Sequence, residues 1–392
     1  MNARKGHGVV ILPMSIIRYL FLIFILTVSV QDYLLSNATL ESCIDYVASE
    51  KEITISCNSA NLTEIYTHLG NDSGLHKEDE TGVWLLEANI LVKNWATLYI
   101  NSTDTQWLKI SSDGTDAFRI TVNGTLRIDS TKITSWDNEK GDYVQIDEEE
   151  TRSPRPFIRV DSGATGTTDI TNSEIAYLGY NGDRRSGLNY YAGNGSLISG
   201  NSIHNLWRGF YSKGVEGIVF ENNRVFNNYE YGIDPHNKTS NMIIRNNIVY
   251  DNGGQGIICS LDCFNIMIEG NQVYDNEGSG IMFSRGMNHS IARNNTVYGE
   301  SECVFISSSH HNIVYNNTVH DCENALYLKA GSGNNTLYNN TIEDSHDGIV
   351  VNSGASNNIF YSNKIVNTNF PTKIEPDESI NNTLSGNIIK PS

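Results

Sequence analysis

Apolar residues recur along this chain in short phrases, each closed by a polar turn, and no 3.6-residue stripe persists. One phrase, Asn-Asn-x-Val-Tyr, returns as NNRVF, NNIVY, GNQVY, NNTVY, NNTVH, NNTIE and SNKIV. Its second residue is always Asn, at 223, 247, 271, 295, 317, 340 and 363, and Asn201 and Asn387 extend the column. The steps are 22, 24, 24, 24, 22, 23, 23 and 24. A second phrase runs in phase, opening on Gly187, Gly209, Gly232, Gly256, Gly280, Cys303, Ala325 and Gly348 and always continuing with an apolar residue. Turn-punctuated β phrases with a fixed period mean stacked coils, so the pattern predicts an all-β parallel solenoid of about 22–24 residues per coil.

Upstream, Trp84–Val92, Ala96–Asn101, Ile120–Asp129 and Phe157–Gly166 read as less regular coils of the same solenoid. Residues 31–80 are expected to cap its first coil, whose strand edges would otherwise be open, and 81–392 form the solenoid itself. The polar, acidic stretch 136–156 reads as a long surface loop. At one Asn per coil, the side-chain amides can hydrogen-bond to one another as an internal ladder. The Asn-x-Thr matches inside the Asn-Asn strings are therefore read as ladder residues rather than glycan acceptors.

Strand alternation assigns the faces. The residue after each Gly points inward. Two outward columns follow: Asn189, Tyr211, Asp234, Ile258, Met282, Phe305, and Tyr191, Lys213, His236, Ser260, Ser284. Tyr211, Lys213, Asp234 and His236 thus form one solvent-facing patch on adjacent coils. Arg208 lies at one edge, and Asp262 and Arg285 at the strand ends of the next two coils.

The chain has 392 residues, with 27 Lys+Arg against 45 Asp+Glu, a net charge of −18. An acidic chain lacks the basic face that nucleic acid or an anionic membrane selects. An acidic substrate then needs a local basic groove, for which Arg152, Arg155, Arg159, Arg184, Arg185, Arg208 and Lys213 are candidates. The six cysteines show no zinc spacing, so no metal site is expected. Their even number permits disulfides in an oxidising compartment, with Cys43 and Cys57 the best pair and Cys259 read as buried. Arg4, Lys5 and Arg18 precede the apolar run Tyr19–Val30. Such a run fits a signal peptide or an N-terminal anchor over 1–30 and implies a secreted or cell-surface protein.

The stretch Tyr231-Gly232-Ile233-Asp234-Pro235-His236 resembles the motif of the mannuronan (alginate) C5-epimerase family. SEIAYLGY, GFYSK, GIICS and WLLEANILVKNWATLYI also resemble the periplasmic members. The resemblance implies a right-handed parallel β-helix that epimerises C5 of mannuronate to guluronate within a uronate polymer. It implies His236 as catalytic acid/base, Tyr231 as its partner on the opposite sugar face, and Asp234 as a carboxylate that orients His236 or takes part in proton traffic. Arg285, Lys213 and Arg208 are placed to neutralise the substrate carboxylate, with Tyr211, Asp262, Ser260 and Asn237 completing the binding set. The partner implied is an anionic polysaccharide acted on by a monomer, with no nucleic acid. The chemistry requires no cofactor, and calcium stimulation, known in the secreted branch, is not indicated because no GGxGxDxxx repeat occurs.

Two departures are evident. The Arg that follows the serine in the periplasmic members is Leu261 here, and the Asp after the motif His is Asn237. A lyase using the same proton abstraction and a non-catalytic polysaccharide-binding solenoid are the alternatives. A copper carrier would need Met/His clusters, and only six Met occur.

Overall fold

The structure is a computed structural model that describes residues 43–112, 117–146, 149, 151–375 and 379–390. The segment read as signal or anchor, 1–30, lies outside the described residues. Three strands per coil stack into three sheets of 14, 13 and 14 strands. Pairing from coil to coil is parallel, whereas at the first end Ile44–Val47 pairs with Glu52–Ile55 and Leu75–Lys77 with Val83–Leu86 antiparallel. The Cys43–Cys57 disulfide closes the first of these hairpins. Beside them lies the helix Leu62–Leu69, which starts with a reciprocal Asn61/Glu64 capping box and buries Leu62 and Ile65. A second disulfide, Cys303–Cys322, was not foreseen in the sequence, and Cys259 and Cys263 are buried free thiols.

The inward column is realised throughout. Leu188, Phe210, Ile233, Ile257, Ile281, Val304, Leu326 and Ile349 are all fully buried. Six of the eight follow a Gly, and at Gly232 the reason is space: a Cβ there would stand 2.6 Å from the Gly256 carbonyl oxygen. In the Asn column each amide donates to the next. Asn201 Nδ2 donates to Asn223 Oδ1 at 2.9 Å, and the chain of bonds continues to Asn387. The backbone N–H of each Asn donates to the same oxygen. The glycan expectation needs correcting. In NNT strings the acceptor position of the sequon is the residue before the ladder Asn, and Asn294, Asn316 and Asn339 are exposed corner residues with φ near +55°.

A second amide ladder, not read from the sequence, runs through Asn228, Asn252 and Asn276 and ends on Glu300. Glu300 is 3 % exposed; Asn276 donates to Oε1, and Oε2 has no hydrogen-bond partner. Burial pushes its pKa up to about 7, against the Asn276 hydrogen bonds. The folded state therefore holds this proton more tightly than the unfolded chain. The stability it contributes is complete below about pH 4.5 and is lost as pH rises to about 7. Glu300→Gln should raise stability by about 3 kcal/mol at pH 8 and change it little at pH 4.5. Urea melts at the two pH values check this, and equal effects at both would refute it.

The described part of the stretch 136–156 is tied to the solenoid at several points. Tyr143 stacks on Tyr177 at 4.3 Å, and Ser112 Oγ donates to the Pro154 carbonyl at 2.7 Å. Arg155, 1 % exposed, is its anchor. Its guanidinium donates to the carbonyls of Gly179, Val144, Leu178 and Asn205. Four carbonyl acceptors compensate a buried cation that has no carboxylate partner among the described residues, and desolvation lowers its pKa to about 9. Arg155 thus holds the fold together and does not line a groove.

Candidate active site

Three adjacent strands of the first sheet, Arg208–Lys213, Ile233–His236 and Ile257–Ser260, carry the candidate residues. Tyr211 pairs with Asp234, Lys213 with His236, and His236 with Ser260. A register shift opens the first of these strands: Gly187 pairs with Arg208, but Asn189 pairs with Tyr211. The extra residue is a β-bulge, which re-aims the side chains beside it. Arg208 sits at that bulge and lies over the rings of Tyr211 and Tyr231, 5.2 Å from each centroid.

Asp234 stands on the outward face, as alternation requires, but it does not face solvent. Its exposure is 1 %. Arg208 Nη1 is 3.3 Å from Oδ2, and His236 Nδ1 is 3.3 Å from Oδ1. A carboxylate removed from water is retained only when paired. Burial raises the Asp234 pKa, and the hydrogen bond from His236 and the charge of Arg208 oppose that rise. Arg208 is itself fixed. Its Nε donates to Glu230 Oε2 at 2.5 Å, and Trp207 Nε1 donates to the same oxygen at 3.0 Å. Glu230 escaped the sequence reading because its only signal is adjacency to Tyr231.

The His236 side chain is 20 % exposed, with its ring 5.7 Å from that of Tyr211. It is not open to solvent as alternation alone suggested, because the Tyr211 ring and the Asp234 contact hold it against the sheet. When Nδ1–H faces the Asp234 carboxylate, Nε2 is left as the free base. Tyr231 is half-buried, and burial raises its pKa, with Glu230 and Asp234 adding to the rise. Its phenol therefore stays protonated and available as a donor. The ring lies on Gly254, where a Cβ would fall 2.7 Å from Tyr231 Cδ1.

Ser260 is fully buried although its column faces outward. Its cover is Arg285, whose Nε donates to Ser260 Oγ at 3.0 Å. Because Ser260 pairs with Ser284, Arg285 is the counterpart of Leu261 one coil later. Both occupy corners with left-handed backbone, φ +62° at Leu261 and +48° at Arg285. The cation missing at Leu261 is thus present one coil away, with its side chain turned back toward the motif coil. Of the remaining candidates, Lys213 stands beside His236 in the sheet. Lys213 is exposed, with no side-chain hydrogen bond or ion pair among the described residues. Asn237 and Asp262 are corner residues at φ +42° and +59°, and Asp262 Oδ1 abuts Gly286 rather than the His236 cluster. Arg159 is paired with Asp161 at 2.7 Å.

A family model described as "right handed beta helix region" matches residues 96–297 and 258–390. The chain belongs to the right-handed β-helix family. Among curated β-helix relatives, the mannuronan C5-epimerase of Pseudomonas fluorescens is 30 % identical over 183 residues, 43 % of this chain and 32 % of that protein. The mannuronan C5-epimerase AlgG of Azotobacter vinelandii is 28 % identical over 182 residues, covering 43 % and 33 %. The chain spans about a third of the length of these relatives. Among solved β-helices, the periplasmic alginate epimerase AlgG superposes with a TM-score of 0.76 at 21 % identity, covering 86 % of this chain and 85 % of that one. The A-module of the Azotobacter vinelandii epimerase AlgE6 gives 0.51 at 16 % identity, covering 89 % and 100 %.

Proposed function

We propose that this β-helix is a polysaccharide C5-epimerase that converts β-D-mannuronate to α-L-guluronate within a uronate polymer such as alginate. The observation that carries it is the His236–Asp234–Arg208 relay with Tyr231 and Arg285 at its edges. The curated relatives that match carry the same activity in their names. Residues 81–392 are the catalytic solenoid, 31–80 its cap, and 1–30 the export signal or anchor. No helix among the described residues is long and apolar enough to cross a membrane.

A C5 proton leaves only if the adjoining carboxylate can take up the electron pair as an enediolate. Arg285 is the cation for that carboxylate: Ser260 holds its Nε, and its two terminal nitrogens remain for a bidentate clamp. Charge that develops in the transition state is then met by a preorganised donor. His236 Nε2 removes H5, with the imidazolium stabilised by Asp234, and the Tyr231 phenol returns a proton to the opposite face. The net change is inversion at C5 without loss of a substituent. A lyase would also expel the 4-O group, and the curated matches favour the epimerase.

Proton NMR of polymannuronate incubated with the protein in D2O tests the reading. Guluronate signals with deuterium at C5 are expected. An unsaturated sugar end would make the protein a lyase, and unchanged polymer would leave a binding solenoid. In the same assay, Arg285→Gln should lower kcat/KM at least about 100-fold, whereas a loss under threefold would remove Arg285 from the chemistry.

A further inference from the structure

We propose that the cavity beside the reactive strands is a second recognition site, which grips the carboxylate of a uronate residue neighbouring the one that reacts. This rests on the epimerase reading above. The cavity encloses about 580 Å³ and adjoins the site directly, because Arg208 and Tyr211 line it. Its far wall brings Arg152, Arg184 and Arg185 together from two separate segments.

These arginines are unusual in a chain of net charge −18. Several cations elsewhere on the sheets meet carboxylates: Arg127 with Asp169, Arg245 with Glu221, Arg293 with Glu269. Arg152 makes no hydrogen bond or ion pair among the described residues, and Arg185 donates only to the Tyr180 hydroxyl at 3.0 Å. Arg184 lies over the Tyr191 ring at 4.3 Å and reaches Asp161 at 3.5 Å, an acid already held by Arg159 at 2.7 Å. The cavity contains one acid of its own, Asp183, which pairs with none of them. Among the described lining residues arginines outnumber acids, and the Arg152 guanidinium has no partner among them. Arginine's planar fork suits a carboxylate, which it binds through two parallel hydrogen bonds.

The wall is built rather than incidental. The buried Arg155 fixes the root of the segment that carries Arg152. The Asn181 N–H, on the segment that carries Arg184 and Arg185, donates to the Thr151 carbonyl at 3.0 Å. On the other side of His236 the same sheet presents a different surface. Phe305 and Tyr327 stack at 5.0 Å, and Lys329 lies 4.8 Å from the Phe305 centroid. A sugar chain laid along the sheet is thus held by charge on one side of the reacting residue and by ring contact on the other. Coils are about 4.8 Å apart, so the arginines stand within a few coils of His236.

The experiment measures binding without turnover, using an end-labelled hexamannuronate and fluorescence anisotropy in a His236→Gln background. Adding Arg152→Gln and Arg185→Gln should weaken binding at least tenfold at low salt, with a smaller difference at high salt. Both side chains are exposed, so the melting temperature should not move. If the double substitution leaves affinity within twofold while the parent binds, the cavity holds no carboxylate and the epimerase reading stands. Equal binding of the neutral mannose hexamer by the parent would also overturn the charge-based site. A parent that binds no uronate oligomer would overturn the epimerase reading, and this proposal with it.

Discussion

His236→Gln should lose about 10²–10⁴-fold in kcat on polymannuronate, the contribution of a general base at the reacting proton. That is about 2.7–5.5 kcal/mol of transition-state stabilisation. Folding should survive the change. The imidazole contacts Asp234 and the Tyr211 ring, and when it is removed Asp234 keeps Arg208 as a partner. Glutamine can still offer an amide N–H to Asp234, which separates loss of the base from loss of the contact. D2O exchange at C5 followed by NMR reads the chemistry, and a thermal melt reads the fold. Retained exchange above one per cent of wild type would assign the base elsewhere. A collapse of the melt would mean that His236 props up the sheet.

Asn247→Ala is expected to cost about 2–6 kcal/mol. Asn247 Oδ1 accepts from both the backbone N–H and the Nδ2 of Asn223. Its own Nδ2 donates to the Phe220 carbonyl and to Asn271 Oδ1. Truncation leaves the Asn223 backbone N–H and one Nδ2 hydrogen buried without their acceptor, each costing about 1–3 kcal/mol. Water cannot replace the amide without a gap in the stacked coils. Urea denaturation checks the prediction. A change below 1 kcal/mol would mean that the amide column follows the fold rather than supporting it.

The departure at Leu261 shows how far the motif could be read. The sequence placed Arg285 one coil on, but the distance between coils, the corner conformation and the bond to Ser260 are features of the folded chain. Lys213 and Asp262 met the same spacing argument with different outcomes, since Lys213 does pair with His236. Lys213 is at a strand end open to water, and Asp262 sits at a left-handed corner that turns its carboxylate toward Gly286.

By itself the sequence determined the solenoid, its period, its inward column and the first Asn ladder. Coils stack one period apart, so a residue's neighbour in the sheet is the residue about 23 positions away. Contacts of that kind are written into the repeat. Only the tertiary structure decided what lies off the repeat. The bulge that aims Arg208, the clamp of Glu230 upon it, the burial of Asp234 and the conversion of Arg155 from groove candidate to anchor all come from loops and corners. There the path depends on left-handed backbone and on which carbonyls remain unpaired, and neither quantity has a period to read.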